Sequence, residues 1–279
     1  MVYLFFSVVT MVLNGMVLKW GETRGQNRLA VMSFNYLFAS IGTSLVWMIQ
    51  DGGLPSRMTL ILGPLAGIFY GVGLFLWMVA ISRSGLGTST AAMRISVVWP
   101  TLLSIVFFTE IPSSIQGAGL AFALISIGML TKANRSTKNA NGERGWPWLV
   151  SVFVVTGGIG VVLKIFIELG HGQERMAFLA LAFSSAALLS WGSMLGLRAR
   201  IGSGDVLRGL MFGAGNMLTN ASLLKALESL PGTVAFPLNN SGVIVLTALA
   251  GVLFWKEKPG QWGYGAITAA VVSIVLISA

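Results

Sequence analysis

The 279-residue sequence contains no cysteine, a single histidine and few charged residues, which make up only 10% of the chain. The absence of cysteine excludes disulfide bridges, thiolate metal sites and cysteine nucleophiles. The histidine, His171, lies between two glycines in a short polar connection, a setting that argues against a histidine-based metal site or proton relay. We therefore expect neither a metal ion nor another cofactor.

Hydrophobic residues make up 55% of the chain. Soluble domains carry about 25% charged residues, so this chain cannot cover a water-facing surface and must be surrounded by lipid. The net charge of +9 comes from residues in connections between apolar runs, where they indicate topology rather than nucleic-acid binding. We expect a membrane protein whose partners are the bilayer and a small molecule, with homodimer formation left open.

Ten segments are apolar enough to span a bilayer, which takes roughly 20 residues. The first has no basic leader and no small-residue cleavage site, so we interpret it as a helix rather than a signal peptide. The predicted fold class is all-α, with ten transmembrane helices. The segments are residues 1–19, 29–49, 58–81, 88–108, 113–131, 146–168, 175–197, 206–228, 232–254 and 260–279.

The two halves of the sequence match each other at an offset of 145 to 147 residues. Polar positions are among the matches, since Lys19 falls on Lys164 and the Glu-x-Pro turn at Glu110 falls on the one at Glu257. A duplicated unit with an odd number of helices is inverted in the bilayer, an arrangement that many transporters build around a central cavity. The predicted units are a five-helix repeat over 1–131, a basic linker over 132–145 and a second five-helix repeat over 146–279.

The sequence resembles the ten-helix EamA-like branch of the drug/metabolite transporter superfamily over essentially its whole length. The resemblance rests on a glycine-rich first helix ending in Lys19 and on Ala80 followed by a short polar turn. It also rests on the two Glu-x-Pro turns, each followed by a helix rich in glycine and alanine. It implies a basket of ten helices around a central substrate cavity.

Lysine and arginine counts in the connections predict the orientation. Thirteen of these residues lie on the face that carries the 132–145 loop, and three, Arg57, Arg175 and Lys225, lie on the other face. The positive-inside rule places the loop in the cytoplasm and both termini outside it, in the inner membrane of a bacterium. Members of the resembled family, in contrast, usually keep both termini in the cytoplasm.

Arg94 is the strongest candidate for a substrate-binding residue, because it lies about seven residues into the fourth segment, roughly 10 Å deep. It either snorkels to the headgroups or faces a cavity, where a guanidinium can clamp a carboxylate or phosphate. The repeat places Asn239, Asn240 and Ser241 of the ninth segment opposite. These three either line the cavity or form hydrogen bonds between helices.

Six further residues within the segments are candidates for the substrate site. Asn216 and Asn220 share a helix face through their i, i+4 spacing. Lys164 precedes Glu168 by four residues, which also suits an intrahelical ion pair. Hydrogen bonding between helices is the alternative role for Asn216 and Asn220, and tryptophans within the segments could form an apolar cavity wall or a sugar-stacking surface. The remaining candidates are Asn14, Trp77 and Trp99.

All nine acidic residues lie at helix ends or in loops, so a cavity should prefer neutral or anionic solutes to cationic drugs. We expect a secondary transporter of a small polar metabolite, amino-acid-like or another organic anion, working by alternating access. The alternatives are a sugar or nucleotide-sugar carrier and a drug exporter of the same superfamily. A lipid-linked transferase is disfavoured, because an enzyme would need a cluster of acids, histidines or a metal.

The predicted topology can be tested because the chain has no native cysteine. A cysteine introduced at Ala140, in the predicted cytoplasmic loop, should resist impermeant thiol reagents in intact cells and react after permeabilisation. Ready labelling in intact cells would reverse the orientation and favour the arrangement usual in the resembled family.

Overall fold

The computed structural model describes residues 1–22, 24–50, 53–84, 86–134, 146–170, 172–256 and 260–278. Within them the chain forms α-helices joined by short connections and one 3-10 turn, Gly172–Glu174, and no strand occurs, which confirms the predicted all-α class. His171, residues 135–145 of the linker and the turn at 257–259 lie outside the described residues. The helices are α1 (Val2–Glu22), α2 (Arg28–Gln50), α3 (Arg57–Ser84), α4 (Leu86–Ile95), α5 (Val98–Phe107), α6 (Ser114–Asn134), α7 (Trp146–Leu169), α8 (Arg175–Gly196), α9 (Ser203–Leu227), α10 (Gly232–Trp255) and α11 (Gln261–Ser278).

In the part of the chain that the structure describes, six helical stretches are long and apolar enough to cross a membrane. Large apolar side chains such as Phe5, Leu188 and Val275 are exposed, as contact with lipid requires. The chain is therefore a multi-pass membrane protein, and the other four of the ten predicted spans stay a prediction. The six stretches are Arg28–Gln50, Arg57–Ile81, Trp146–Leu169, Gly172–Gly196, Gly232–Phe254 and Gln261–Ser278, and shorter apolar helices cover Val2–Leu18, Ala92–Phe107 and Ser114–Met129.

The fourth predicted segment, 88–108, is interrupted in the structure and forms α4 and α5. Pro100 has no N–H, so the Ser96 carbonyl oxygen lacks its usual partner four residues later. It accepts the N–H of Trp99 instead, at 3.0 Å. A short turn thus separates the two helices, and Arg94 lies one residue before the end of α4.

The chain divides into two compact units, and each contains helices from both halves of the sequence. The first unit comprises Met1–Leu74 and Val162–Glu228, and the second comprises Phe75–Val161 and Ser229–Ala279. Both α3 and α7 contribute one part to each unit. These compact units are not the predicted sequence repeats, 1–131 and 146–279. The repeats concern duplication along the chain and stay a prediction.

In the first unit, a glycine face of α3 packs against α8. A Cβ atom added at Gly67 would lie 2.2 Å from the backbone oxygen of Ala182. The same interface recurs at the predicted offset, where α9 packs against α2. A Cβ atom added at Gly213 would lie 2.7 Å from the backbone oxygen of Asn35. Glycine is needed at both places because the two helix backbones approach so closely.

Carboxylates link helix starts in the first unit, and these links also occur at matching positions of the two sequence halves. Glu174, before α8, accepts hydrogen bonds from the Ser56 N–H and hydroxyl at 3.0 and 2.7 Å, at the start of α3. At the matching place, Asp205 in α9 accepts the N–H groups of Asn27 and Gly202 at 3.3 and 3.0 Å. In the first link the carboxylate precedes the later helix of the pair, α8, and the donor residue precedes α3. In the second link the carboxylate belongs to α9 and one donor, the N–H of Asn27, precedes α2. Each carboxylate satisfies backbone N–H groups at helix starts.

The close glycine contact predicts a measurable loss of stability in Gly67→Ala. The new methyl group would meet the Ala182 carbonyl, which is part of a helix backbone and cannot rotate away. Overpacking of this kind costs about 1–3 kcal/mol, so thermal unfolding in detergent should occur at a lower temperature. Gly192→Ala is the matched control, because a Cβ atom there meets nothing within 4 Å. Equal melting temperatures for the wild type and Gly67→Ala would contradict the packing.

Candidate functional site

Arg94 and Asn240 contact each other through two reciprocal hydrogen bonds in the second unit. Arg94 Nη1 donates to Asn240 Oδ1 at 3.1 Å, and Asn240 Nδ2 donates to the Arg94 backbone oxygen at 2.8 Å. Asn240 therefore satisfies a carbonyl in the last turn of α4, where the helix breaks. The guanidinium carries five N–H donors in a rigid fork, and in the described part of the chain only one of them has a partner.

Two features of α10 position Asn240. Pro231 precedes the helix, and the N–H of Thr233 in its first turn donates to Glu110 Oε2 at 3.1 Å. Pro237 lies inside α10 and removes one hydrogen bond from the helix backbone two residues before Asn239. The sequence marked Glu110 only as part of a turn and did not indicate that its carboxylate caps α10.

Among the buried polar atoms of the second unit that lack hydrogen-bond partners in the described residues, two belong to Asn239 (Oδ1) and Trp77 (Nε1). Buried polar atoms in native proteins nearly always have a hydrogen-bond partner in the protein or in water, so each atom without one needs an explanation. Both residues are sequence-predicted site residues, and a polar solute is one partner that would satisfy such atoms.

The other two candidates in this unit have packing contacts. Trp99, in α5, is 42% exposed, and its ring lies 5.8 Å from that of Phe153 between centroids. Ser241 is 1% exposed, and its hydroxyl donates to Ser273 at 3.4 Å, which joins α10 to α11. Ser241 therefore faces a helix interface, which is the structural alternative considered for it.

Asn216 and Asn220 belong to a hydrogen-bonded network in the first unit. Asn220 Nδ2 donates to Asn216 Oδ1 at 2.8 Å, so the two share a face as their spacing predicts. Asn216 Nδ2 donates to Asn35 Oδ1 at 3.2 Å, and the Tyr70 hydroxyl donates to Asn220 Oδ1 at 2.6 Å. The network ties α9 to α2 and α3. The sequence analysis did not find Tyr70, although a buried tyrosine hydroxyl usually has a partner.

Lys164 and Asn14 are both buried in the first unit. The Lys164 side chain is 1% exposed and forms an ion pair with Glu168, whose side chain is 33% exposed. This is the intrahelical pair that the four-residue spacing favours. Asn14 is 7% exposed and lies against Gly215, where a Cβ atom would be 2.0 Å from Asn14 Oδ1. Both side chains thus have close protein neighbours.

The described residues contain no group of three or more histidine, aspartate or glutamate side chains placed to hold a metal. Residues 1–132, which include α1 to α5 and most of α6, match the EamA-like transporter family. These residues, a little under half of the chain, are thus similar to that family. The match confirms the resemblance seen in the sequence, and members of the family are transporters rather than enzymes.

Two further comparisons extend over nearly the whole chain. An uncharacterized protein of Haemophilus influenzae is 26% identical over 263 residues, covering 91% of this chain and 90% of its own length. A protein of known crystal structure is 13% identical, with a TM-score of 0.76 over 99% of this chain and 97% of its own. At that identity the structural likeness shows the fold alone. This chain is therefore a multi-pass membrane protein whose first 132 residues are similar to a family of transporters.

Proposed function

We propose that this EamA-like protein is a secondary transporter of a small polar or anionic metabolite, either amino-acid-like or another organic acid. The observation that carries the proposal is the Arg94–Asn240 pair, because it fixes a guanidinium within an apolar helical stretch, Ala92–Phe107. A cation at that depth costs a few kcal/mol unless water or an anion meets it. A carboxylate-bearing solute held by Arg94 would recover that cost.

The chemistry of the pair suits a carboxylate. Asn240 holds one edge of the guanidinium and anchors the Arg94 backbone, which limits the freedom of the side chain. A planar guanidinium with unused donors can bind both carboxylate oxygens through two parallel hydrogen bonds. The unpartnered atoms of Asn239 and Trp77 would contact other polar parts of the solute, if they line the same cavity.

Alternating access between two inverted repeats is the mechanism that we propose. The recurrence of the α3–α8 glycine interface between α9 and α2 supports it, because duplicated interfaces are what two copies of one unit would make. Arg94 and Asn240 also occupy matching positions in the two halves and contact each other. In transporters of this type, substrate sites lie at the repeat interface and are formed by interrupted helices, as α4 and α5 are here.

A sugar or nucleotide-sugar carrier is the second candidate, favoured by Trp77 and Asn239 with their unpartnered polar atoms. Arg94→Gln separates the two candidates. It should abolish transport of carboxylates and spare neutral sugars if Arg94 binds an anion. We place the protein in a bacterial inner membrane with both termini outside the cytoplasm, following the distribution of basic residues.

The proposal predicts different outcomes for two Arg94 variants. Arg94→Lys keeps the charge but loses the planar fork, so apparent affinity for a transported carboxylate should fall about 10- to 100-fold. Arg94→Leu should abolish carboxylate transport and leave folding intact, because leucine suits the bilayer better than arginine. Counterflow of radiolabelled carboxylates, amino acids and neutral sugars in proteoliposomes measures transport, and the melting temperature measures folding.

Arg57→Leu is the matched control, because Arg57 is an exposed arginine at the start of α3. It should transport as the wild type does. Undiminished carboxylate transport by Arg94→Leu would refute the proposed site. Lys164 or the α9 asparagines would then be the candidates for binding the substrate.

A further inference from the structure

Charged side chains at one end of the first unit surround an open pocket of about 540 Å³. The pocket lies where α2 and α9 end and where the 3-10 turn leads into α8. Its volume is within the range of small-molecule sites. The lining residues are Gln50, Gly172, Gln173, Arg175, Lys225 and Glu228.

Basic residues are scarce on the face opposite the 132–145 loop. Two of them in one pocket therefore call for an explanation. The basic count places only Arg57, Arg175 and Lys225 here, and two of these three line the pocket. The positive-inside rule calls for basic residues on the opposite face. Topology therefore does not explain why Arg175 and Lys225 are present.

Glu228 bridges the two cations. Arg175 Nη1 donates to one carboxylate oxygen of Glu228, and Lys225 Nζ donates to the other at 2.6 Å. The side chains stay partly exposed, at 18% for Arg175, 41% for Lys225 and 23% for Glu228, so a solute can reach all three. Arg175 Nε is buried and has no hydrogen-bond partner among the described residues.

We propose that this pocket binds a small zwitterion of the amino-acid type, with its carboxylate at Arg175 and Lys225 and its ammonium group at Glu228. The Glu228 carboxylate would offset part of the attraction between a simple anion and the two cations. A simple amine at Glu228 would face two positive charges. A molecule with an ammonium and a carboxylate group on one carbon atom can place each group beside an opposite charge.

Two further features of the pocket fit such a ligand. The amide groups of Gln50 and Gln173 can each donate and accept hydrogen bonds, which suits a polar amino-acid side chain. Gly172 leaves room beside the carboxylate, since a Cβ atom there would lie 3.1 Å from Glu228 Oε1. Binding here is measurable whether or not Arg94, in the second unit, holds a transported solute.

The test is a thermal-shift titration of the full-length protein in detergent with each standard L-amino acid. The N-acetyl derivative and the methyl ester of every stabilising amino acid follow, because each derivative lacks one of the two charges. At least one amino acid should raise the melting temperature saturably, and both of its derivatives should bind at least 10-fold more weakly. The absence of any stabilising amino acid, or an equally effective derivative, would overturn the proposal.

Four variants locate the binding. Glu228→Gln and Arg175→Gln should each weaken it by about 10- to 100-fold, because each removes a charge-assisted contact. Gly172→Ala keeps every charge but narrows the pocket, so it should also weaken binding and remains informative where a charge variant does not fold. Arg57→Gln, on the same face but outside the pocket lining, is the control and should bind as the wild type does.

A fifth variant, Arg94→Gln, separates this site from the transport site. The stabilisation by the amino acid that remains in Arg94→Gln should weaken at least 10-fold further when Glu228→Gln is added. Undiminished binding in both Glu228→Gln and Gly172→Ala, or loss of binding in Arg94→Gln, would place the amino acid elsewhere and overturn the proposal.

Discussion

Hydrocarbon offers no water to satisfy a polar group, and the Arg94–Asn240 pair meets this constraint inside an apolar helical stretch. Pro100 interrupts the fourth segment because it offers no N–H to the Ser96 carbonyl, just beyond α4. The Arg94 carbonyl accepts the Val97 N–H at 3.3 Å and also the amide N–H of Asn240, whose amide oxygen accepts from the guanidinium. Asn240 therefore holds both the backbone and the side chain of Arg94 next to the helix break.

The asparagine network of the first unit and the Arg94–Asn240 pair of the second are satisfied to different degrees. In the first unit, Asn35, Asn216, Asn220 and Tyr70 satisfy one another and tie three helices together. In the second unit, Arg94 has unused donors, and a buried acceptor on Asn239 has no partner among the described residues. Completed networks stabilise helix packing, whereas incomplete ones leave groups available to a solute. This contrast is why we place the transport site at Arg94.

The sequence predicted what depends on spacing along the chain. Hydropathy located the helices, and the four-residue spacing of Lys164 and Glu168 indicated their ion pair. The offset between the halves brought Arg94 and Asn240 to matching positions. Contacts set by the tertiary fold were out of reach, among them the Tyr70–Asn220 hydrogen bond and the Glu110 cap on α10. The break between α4 and α5 could have been predicted from Pro100, because a proline removes a known backbone donor. A hydropathy window does not detect it, since it averages only the apolar character of the residues.

The most direct measurement of the central claim is a double-mutant cycle on carboxylate counterflow, with Arg94→Lys, Asn240→Ala and the double variant. If Asn240 acts by holding Arg94, its loss should matter little once the guanidinium is gone. The double variant should then have an apparent affinity close to that of Arg94→Lys, with a coupling energy of about 1 kcal/mol or more. Losses that simply add, or single variants with wild-type affinity, would contradict the account.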